Sequence, residues 1–392
     1  MTKEEKIQEL LTRGVVESID QKHLLLALKG KKKLRVKLGI DPTSPNIHIG
    51  RAVSLWKLRA FQDLGHQVVF ICGDFTGLIG DTSDKEAERP ELAEATIKQN
   101  MKTYFDQAFK ILDKSKTETH YNSTWLKKLG FIELGKMAGA FGLHEMAARE
   151  NIAKRLKAGK RVSLRELLYP LMQGYDSVAV QADVELGGTD QRFNLLAGRT
   201  IQPLYGQQPQ DIMTFDLLEG TDGRKMSSSW GNVINLVDEP ADMFGKVMSV
   251  RDELIEKYFV LATTISLPEV KQLLTSTKNP RDQKLQLAWQ IVSQYHGEKK
   301  ADLAKSTFVN QFSKKELPDN IEEVFVQAGK HLLSSLLVET KLAPSKTEAR
   351  RLITQGGVKV NQKSVPTDLE IAIGKKNDLL LQVGKRKFVR VI

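Results

Sequence analysis

The sequence predicts an α/β protein in which a parallel-sheet domain comes first, a helical domain follows, and a small α+β domain closes the chain. Three observations carry this. Residues 34–72 hold an apolar run, a turn, a helical pattern and a second apolar run, as a βαβ crossover requires. From residue 240 to about 312 the apolar spacing is helical, interrupted at Pro268 and Pro280. From residue 331 the chain turns basic. The expected domains are 1–222, with a helical insert near 131–160, then 223–325, then 331–392, with a linker around Pro318.

The elements follow in order. LRVKLGI at 34–40 reads as a short buried strand. Ile49, Val53, Leu58, Phe61 and Leu64 recur at helical spacing before Gly65, which predicts a helix over 49–64. QVVFIC at 67–72 is the second strand. Helices are expected over 91–112 and 164–178 and from about 190, and strands at 119–121, 182–186 and within DIMTFDLL at 211–218. No internal repeat occurs.

Composition bounds the function. The 392 residues are 41% hydrophobic and 27% charged, enough for two or three folded domains. Cys72 is the single cysteine, which excludes an intramolecular disulfide and a multi-cysteine metal site and suits a reducing cytosol. The start, MTKEEKIQEL, lacks an apolar signal core, and no run reaches membrane-spanning length, so a cytoplasmic protein with no membrane partner is expected. The net charge is +11, and residues 341–392 hold twelve Lys/Arg against four Asp/Glu, a surplus of eight. A solvated charged face accounts for short basic runs. This surplus persists through a segment with a folded pattern, which favours a polyanion such as nucleic acid.

Four stretches carry chemistry. HIGR at 48–51 opens a helix, where unpaired N–H groups attract anions; His48 adds a donor, Gly50 lets a flat ring approach the backbone, and Thr43 adds a hydroxyl. Read alone, a histidine at a helix start is more often an ordinary surface or packing residue. GRKMSSS at 223–229 offers Arg224, Lys225 and three hydroxyls, either a polyphosphate clamp or a solvated basic loop. Tyr169, Gln173 and Asp176 share one helical face among apolar neighbours, lining a slot for a polar small molecule or forming a buried hydrogen-bond network. In ELGGTDQRFN, Asp190 and Gln191 start a helix, and Thr189 or Asp190 can serve as a simple cap there.

Taken together, HIGR and KMSSS flanking an α/β region resemble the paired signatures of class I aminoacyl-tRNA synthetases. The resemblance implies a Rossmann-like catalytic domain with one motif after the first strand and the other after the last, both at the ligand-binding end of the sheet. YPLMQGYDSVAVQADVELGGTDQ at 169–191, with LGIDPTSPNIHIG and GDFTGLIGDTSDKEAERP, is similar to the tyrosyl-tRNA synthetases, in the bacterial branch with a KMSKS-type loop. That likeness covers essentially the whole chain. It implies activation of L-tyrosine by ATP, with Mg²⁺ accompanying the nucleotide and no protein-held metal, then transfer to tRNA(Tyr). The rivals are a tryptophanyl-tRNA synthetase on the same scaffold and a non-catalytic RNA-binding paralogue.

The resemblance also implies roles. Asp176 accepts the phenolic hydrogen bond. Tyr169, Gln173 and Asp81, helped by Asn122, hold the ammonium group. Asp41, Asp190 and Gln191 position the carboxylate and ribose end. Thr43 and His48 contact the transferring phosphate, and Lys85 and Arg89 close over pyrophosphate with Lys225. Gly50, Arg51, Ser227 and Ser228 complete the ATP site. Three positions depart from the family pattern: Lys37, expected among the tyrosine-binding residues, stands where many relatives carry a tyrosine that contacts the substrate hydroxyl, Arg51 replaces the last histidine of the signature, and Ser228 replaces the second lysine of the loop. Glu185 stands where some relatives have glutamine. Residues 331–365 resemble a small RNA-binding module found in a ribosomal small-subunit protein and in RNA pseudouridine synthases, which directs Lys346, Arg350 and Arg351 toward tRNA. The helical 240–320 segment is implied as the anticodon-binding domain, and residues 131–160 as a homodimer contact.

Overall fold

A computed structural model describes residues 1–83, 92–313, 321–374, 379–384 and 387–392, with 311–313 by backbone only. Lys85, Arg89 and the expected linker at Pro318 lie outside the described residues. The chain divides into two compact units, residues 1–306 and 307–392.

The first unit is built on a six-stranded sheet in the order β1-β6-β5-β2-β3-β4. Its strands are β1 (Val15–Ile19), β2 (Arg35–Ile40), β3 (Gln67–Cys72), β4 (Thr117–Tyr121), β5 (Val184–Gly188) and β6 (Asp211–Phe215). All neighbours are parallel except β1 against β6. The central strands read as apolar runs because helices cover both faces. Along β3, residues Val68 to Cys72 are all buried. The chain reverses direction across the sheet between β2 and β5, and the carboxyl ends on either side of that point are where a ligand crevice forms.

Helix α3 (Ile49–Asp63) makes the β2-to-β3 crossover and buries Ile49, Ala52, Val53, Leu55, Leu58 and Phe61. Two elements before it, α1 (Lys3–Thr12) and α2 (Gln21–Lys29), flank β1. None of these three was expected, so HIGR follows the second strand of the chain and the first parallel one. β1 is short and only partly buried, which leaves it without the apolar run that marks a central strand. The expected 91–112 helix is two pieces in its described part, Glu94–Met101 and Tyr104–Ala108. The break brings Tyr104 into the core and lets Gln107 serve the Ile47 N–H and the Pro45 carbonyl. The 211–218 strand ends at Phe215 because its register partner, Gly188, is the last residue of β5. The 131–160 segment forms three short helices, Phe131–Ala138, Leu143–Ala148 and Glu150–Lys157.

Helices at Pro240–Met248, Ile255–Ala262, Leu267–Ser276 and Pro280–His296 belong to the same unit as the sheet. Arg13 anchors them. Its guanidinium donates to the carbonyls of Val260 (2.7 Å), Ile265 (2.6 Å), Phe259 (3.0 Å) and Thr263 (2.7 Å), capping the exposed carbonyl end of the Ile255–Ala262 helix. Trp56 of α3 adds a 2.9 Å bond to the Tyr295 hydroxyl.

The second unit has a five-stranded sheet ordered Lys363–Ser364, Val358–Val360, Leu379–Val383, Lys387–Val391, Glu322–Val324, and a separate ribbon of Gly329–Leu332 with Glu370–Ile373. Helices Leu333–Glu339 and Lys346–Thr354 contribute Leu333, Leu336, Leu337, Ala349 and Ile353 to its core.

Replacing Arg13 with methionine keeps the apolar stem but takes the guanidinium from the carbonyls of Val260, Thr263 and Ile265, while the Phe259 carbonyl keeps the Thr263 hydroxyl. The expected result is a loss of about 2–3 kcal/mol of stability, read from the midpoint of urea unfolding.

Candidate active site

Every polar side chain of the site leaves the carboxyl edge of a parallel strand or the Leu164–Val180 helix that crosses it. Asp41 follows β2, Thr76 follows β3, Asn122 follows β4, Asp190 and Gln191 follow β5, and the KMSSS loop follows β6. Ser163 and Glu166 close a capping box at the start of the crossing helix.

The two distant motifs meet here. The Ile49 N–H donates to the Ile234 carbonyl (2.8 Å) and the Leu236 N–H to the Ile47 carbonyl (2.9 Å). A methyl group on Gly50 would lie 3.1 Å from His48 Nδ1, a tight approach that presses on the imidazole, and 3.4 Å from Met226 Cβ, so the helix start and the loop are closely packed there. The Ser228 hydroxyl reaches Ser44 at 3.2 Å. His48 is the N-cap of α3, and its Nδ1 accepts the Arg51 N–H at 3.3 Å, which leaves the proton on Nε2. Burial, with Arg51 and Lys225 nearby, pushes the imidazole down to about 3. His48 is therefore a neutral N–H donor at neutral pH. Lys225 pairs with Asp190 at 2.9 Å. Arg51 turns away from the loop, donating to Thr43 Oγ1 (3.1 Å), the Asp41 carbonyl (3.3 Å) and the Tyr104 hydroxyl.

Deeper in, Asp41 is a hub. Its carboxylate accepts from Thr76 Oγ1 (2.7 Å) and the Tyr169 hydroxyl (2.9 Å), and Gly73 passes too close to both Asp41 and Thr76 for any side chain. Asp176 is buried and accepts from Trp125 Nε1 (2.7 Å) and Asn122 Nδ2 (3.2 Å). Burial raises its carboxyl to about 7, against the opposing pull of Lys37 and of those donors. Asp81 accepts from Gln191 (2.7 Å) and from Ser83. Gln173 donates to Glu185 at 3.1 Å. Lys37 is fully buried and pairs with Glu185 at 2.9 Å, so its ammonium group faces a carboxylate inside the sheet rather than an open slot.

The expected residues fall into three groups. Asp41, Thr43, His48, Gly50, Arg51, Asp81, Asn122, Tyr169, Gln173, Asp176, Asp190, Gln191, Lys225, Ser227 and Ser228 all lie at or beside this edge. Lys37 lies beneath it. Lys346, Arg350 and Arg351 are exposed in the other unit, where Arg350 pairs with Asp368 and Arg351 with Glu348. Sequence reasoning missed Trp125, Thr76 and Ser177. Trp125 was detectable, because it follows Asn122 by three residues, one helical turn on the same face.

The family model for class I tRNA synthetases (W and Y) matches residues 29–313, and that for the SYY-like C-terminal domain of tyrosine–tRNA ligases matches residues 313–391. The edge defined by His48 and the KMSSS loop is thus that of a class I tRNA synthetase. A tyrosine–tRNA ligase of Thermotoga maritima is 48% identical, covering 100% of this chain and 98% of that protein. One of Carboxydothermus hydrogenoformans is 46% identical, covering 98% of this chain and 97% of its own. The chain belongs to the tyrosine–tRNA ligase family. Its fold matches that of a C-terminally truncated mitochondrial tyrosyl-tRNA synthetase of Aspergillus nidulans with a TM-score of 0.66 at 21% identity, over 78% of this chain and 94% of that one.

Gly50→Ala is expected to slow ATP–pyrophosphate exchange about tenfold by displacing the His48 ring. Helix stability is not at risk, since alanine is the better helix former. Exchange rates beside a thermal unfolding curve test this.

Proposed function

We propose that the chain is a tyrosine–tRNA ligase. It joins the carboxylate of L-tyrosine to the α-phosphate of ATP, expels pyrophosphate, and passes the tyrosyl group to the 3′-end of tRNA(Tyr). The observation that carries this reading is the meeting of residues 47–50 with residues 226–236 on the same sheet edge as the Asp176 slot.

Tyrosine enters with its phenol toward Asp176 and its ammonium group toward Tyr169, Gln173 and Asp81, with Asn122 bracing Asp176. A buried carboxylate that accepts a hydrogen bond favours a phenol over the bare ring of phenylalanine, because only the phenol supplies the donor. The tyrosine carboxylate is the nucleophile, so no side chain forms a covalent intermediate. His48, neutral and donating through Nε2, hydrogen-bonds a phosphate oxygen, with Thr43 beside it. Lys225 exchanges Asp190 for the departing pyrophosphate, where negative charge gathers, and Asp190 is released toward the ribose. Lys85 and Arg89 are proposed to assist. Catalysis then rests on alignment and charge placement. Mg²⁺ belongs to the nucleotide substrate, where it neutralises phosphate charge. Among the described residues no group of three or more His, Cys, Asp or Glu side chains fits a resident metal.

The basic second unit, with Lys346, Arg350 and Arg351 exposed on one helix, is proposed to hold folded tRNA, and the helices after Pro240 to reach its anticodon. Phe131 (92% exposed), Ile132 (87% exposed), Leu143 and Leu164 are large apolar side chains open to solvent in or beside the 131–160 stretch, which supports a homodimer contact there. No helix among the described residues is long and apolar enough to cross a membrane, and the cytoplasm is the proposed location.

Purified protein supplied with each amino acid in turn is expected to exchange pyrophosphate into ATP with tyrosine; a response to tryptophan alone overturns the reading. Lys225→Ala is expected to lower the exchange rate about 100-fold with tyrosine affinity retained. Asp176→Ala is expected to weaken tyrosine binding itself, measured by equilibrium titration.

A further inference from the structure

Lys37 and Glu185 are direct register partners on β2 and β5, the two strands that flank the reversal point of the sheet. Both are essentially inaccessible to solvent, at 0% and 1% exposure. The Lys37 ammonium group spends its three protons on Glu185 Oε1 (2.9 Å), Ser177 Oγ (2.7 Å) and the Gln173 carbonyl (2.9 Å). Glu185 in turn accepts from the Gln173 amide (3.1 Å), the Ser177 hydroxyl (3.1 Å) and Gln210. Gln173 and Ser177 bracket Asp176 on the crossing helix. The buried pair thus grips, by backbone and side chain, the single helical turn that presents Asp176. A buried ion pair is a poor source of stability, since desolvation offsets much of the attraction. Its place under Asp176 gives it another use.

We propose that Lys37, held by Glu185, is a positioning residue that keeps Asp176 ionised and aimed to accept the phenolic hydrogen of tyrosine, and so sets selectivity for tyrosine over phenylalanine. This rests on the assignment of Asp176 made above. Among the described residues, the charged and titratable groups facing Asp176 are Lys37 from β2, Glu185 from β5 and Tyr169 from its own helix. Asn122 and Trp125, after β4, contribute uncharged donors. Lys37 is the cation that offsets the burial of Asp176, and Glu185 opposes it more weakly.

The test is tyrosine and phenylalanine affinity of the full chain between about pH 6 and 8.5. In Lys37→Met the pH at which tyrosine affinity halves is expected to rise by about one unit. Tyrosine affinity at pH 7 then falls about fivefold and returns as the pH is raised, while phenylalanine affinity is unmoved. Should Lys37→Met fail to fold with Glu185 left unpaired, the double variant Lys37→Met/Glu185→Gln leaves no lone buried charge; its midpoint is expected to rise by less. A folded variant with the parent midpoint, or with a loss that no pH restores, overturns the proposal. Asp176→Asn separates the two readings. If it binds tyrosine like the parent, the assignment of Asp176 itself fails. If it loses tyrosine while the Lys37 variants keep the parent midpoint, only the role of Lys37 fails.

Discussion

The junction between residues 47–49 and 234–236 constrains the rest of the site. Two backbone hydrogen bonds there tie the start of α3, which belongs to the first parallel crossover, to a segment beyond the last strand. Nearly two hundred residues separate the two sides in the chain, so the tertiary fold must form before either motif has a partner. The intervening loop is then knotted by Asn232. Its buried amide accepts from the Ser227 N–H (2.9 Å) and donates to Asp222 (2.7 Å) and the Lys225 carbonyl (3.1 Å). With the backbone held at both ends and in the middle, the partner exchange proposed for Lys225 needs only side-chain rotation. A point charge on a flexible stem suits that task.

A second constraint is polar density. Lys37, Thr76, Asn122, Asp176, Ser177 and Glu185 are all buried around one stretch of sheet, and each has its partners. Such a network is costly if any member is missing and specific when complete. Asp176 shows the cost. Its carboxyl is raised from 3.8 to about 7 chiefly by burial, so its contribution to stability is full below pH 3.8 and is lost as the pH rises toward 7. Glu166 shows the opposite sign. Despite burial, Arg155 and the Ser163 N–H hold its carboxyl down to about 2, so its stabilisation is present above 4.5 and is lost as the pH falls toward 2. The first carboxylate is the one proposed to meet a ligand; the second, paired with Arg155, serves the fold.

Much of this was legible in the chain. The βαβ unit over 34–72, the helix at 164–180 and the loop at 223–229 all carry strong local signals, because a parallel strand buried on both faces is an apolar run and a helix start has its own turn chemistry. β1 was not legible: an edge strand half open to solvent has no such run. Glu185 and Lys37 each look anomalous within an apolar strand. Only the register of β2 against β5 shows that they neutralise one another, and register between distant strands is a tertiary fact. The pairing of Arg51 with Thr43 and Tyr104 was hidden for the same reason, since Tyr104 arrives from a helix whose break at Thr103 depends on packing.

The electrostatics of the edge follow one logic. His48 is buried with Arg51 and Lys225 close by, so a second proton on the ring is strongly disfavoured. Tyr169, buried against Asp41, is held well above its ordinary range. Asp176, raised to about 7 chiefly by burial, is the group proposed to face the phenol rather than the phosphates. In the proposed reaction the phosphate end therefore works without proton transfer, through the neutral His48 donor and the Lys225 ammonium group. That division suits a reaction whose nucleophile is already a carboxylate: the edge has to collect charge, and the slot beside it has to read one hydroxyl.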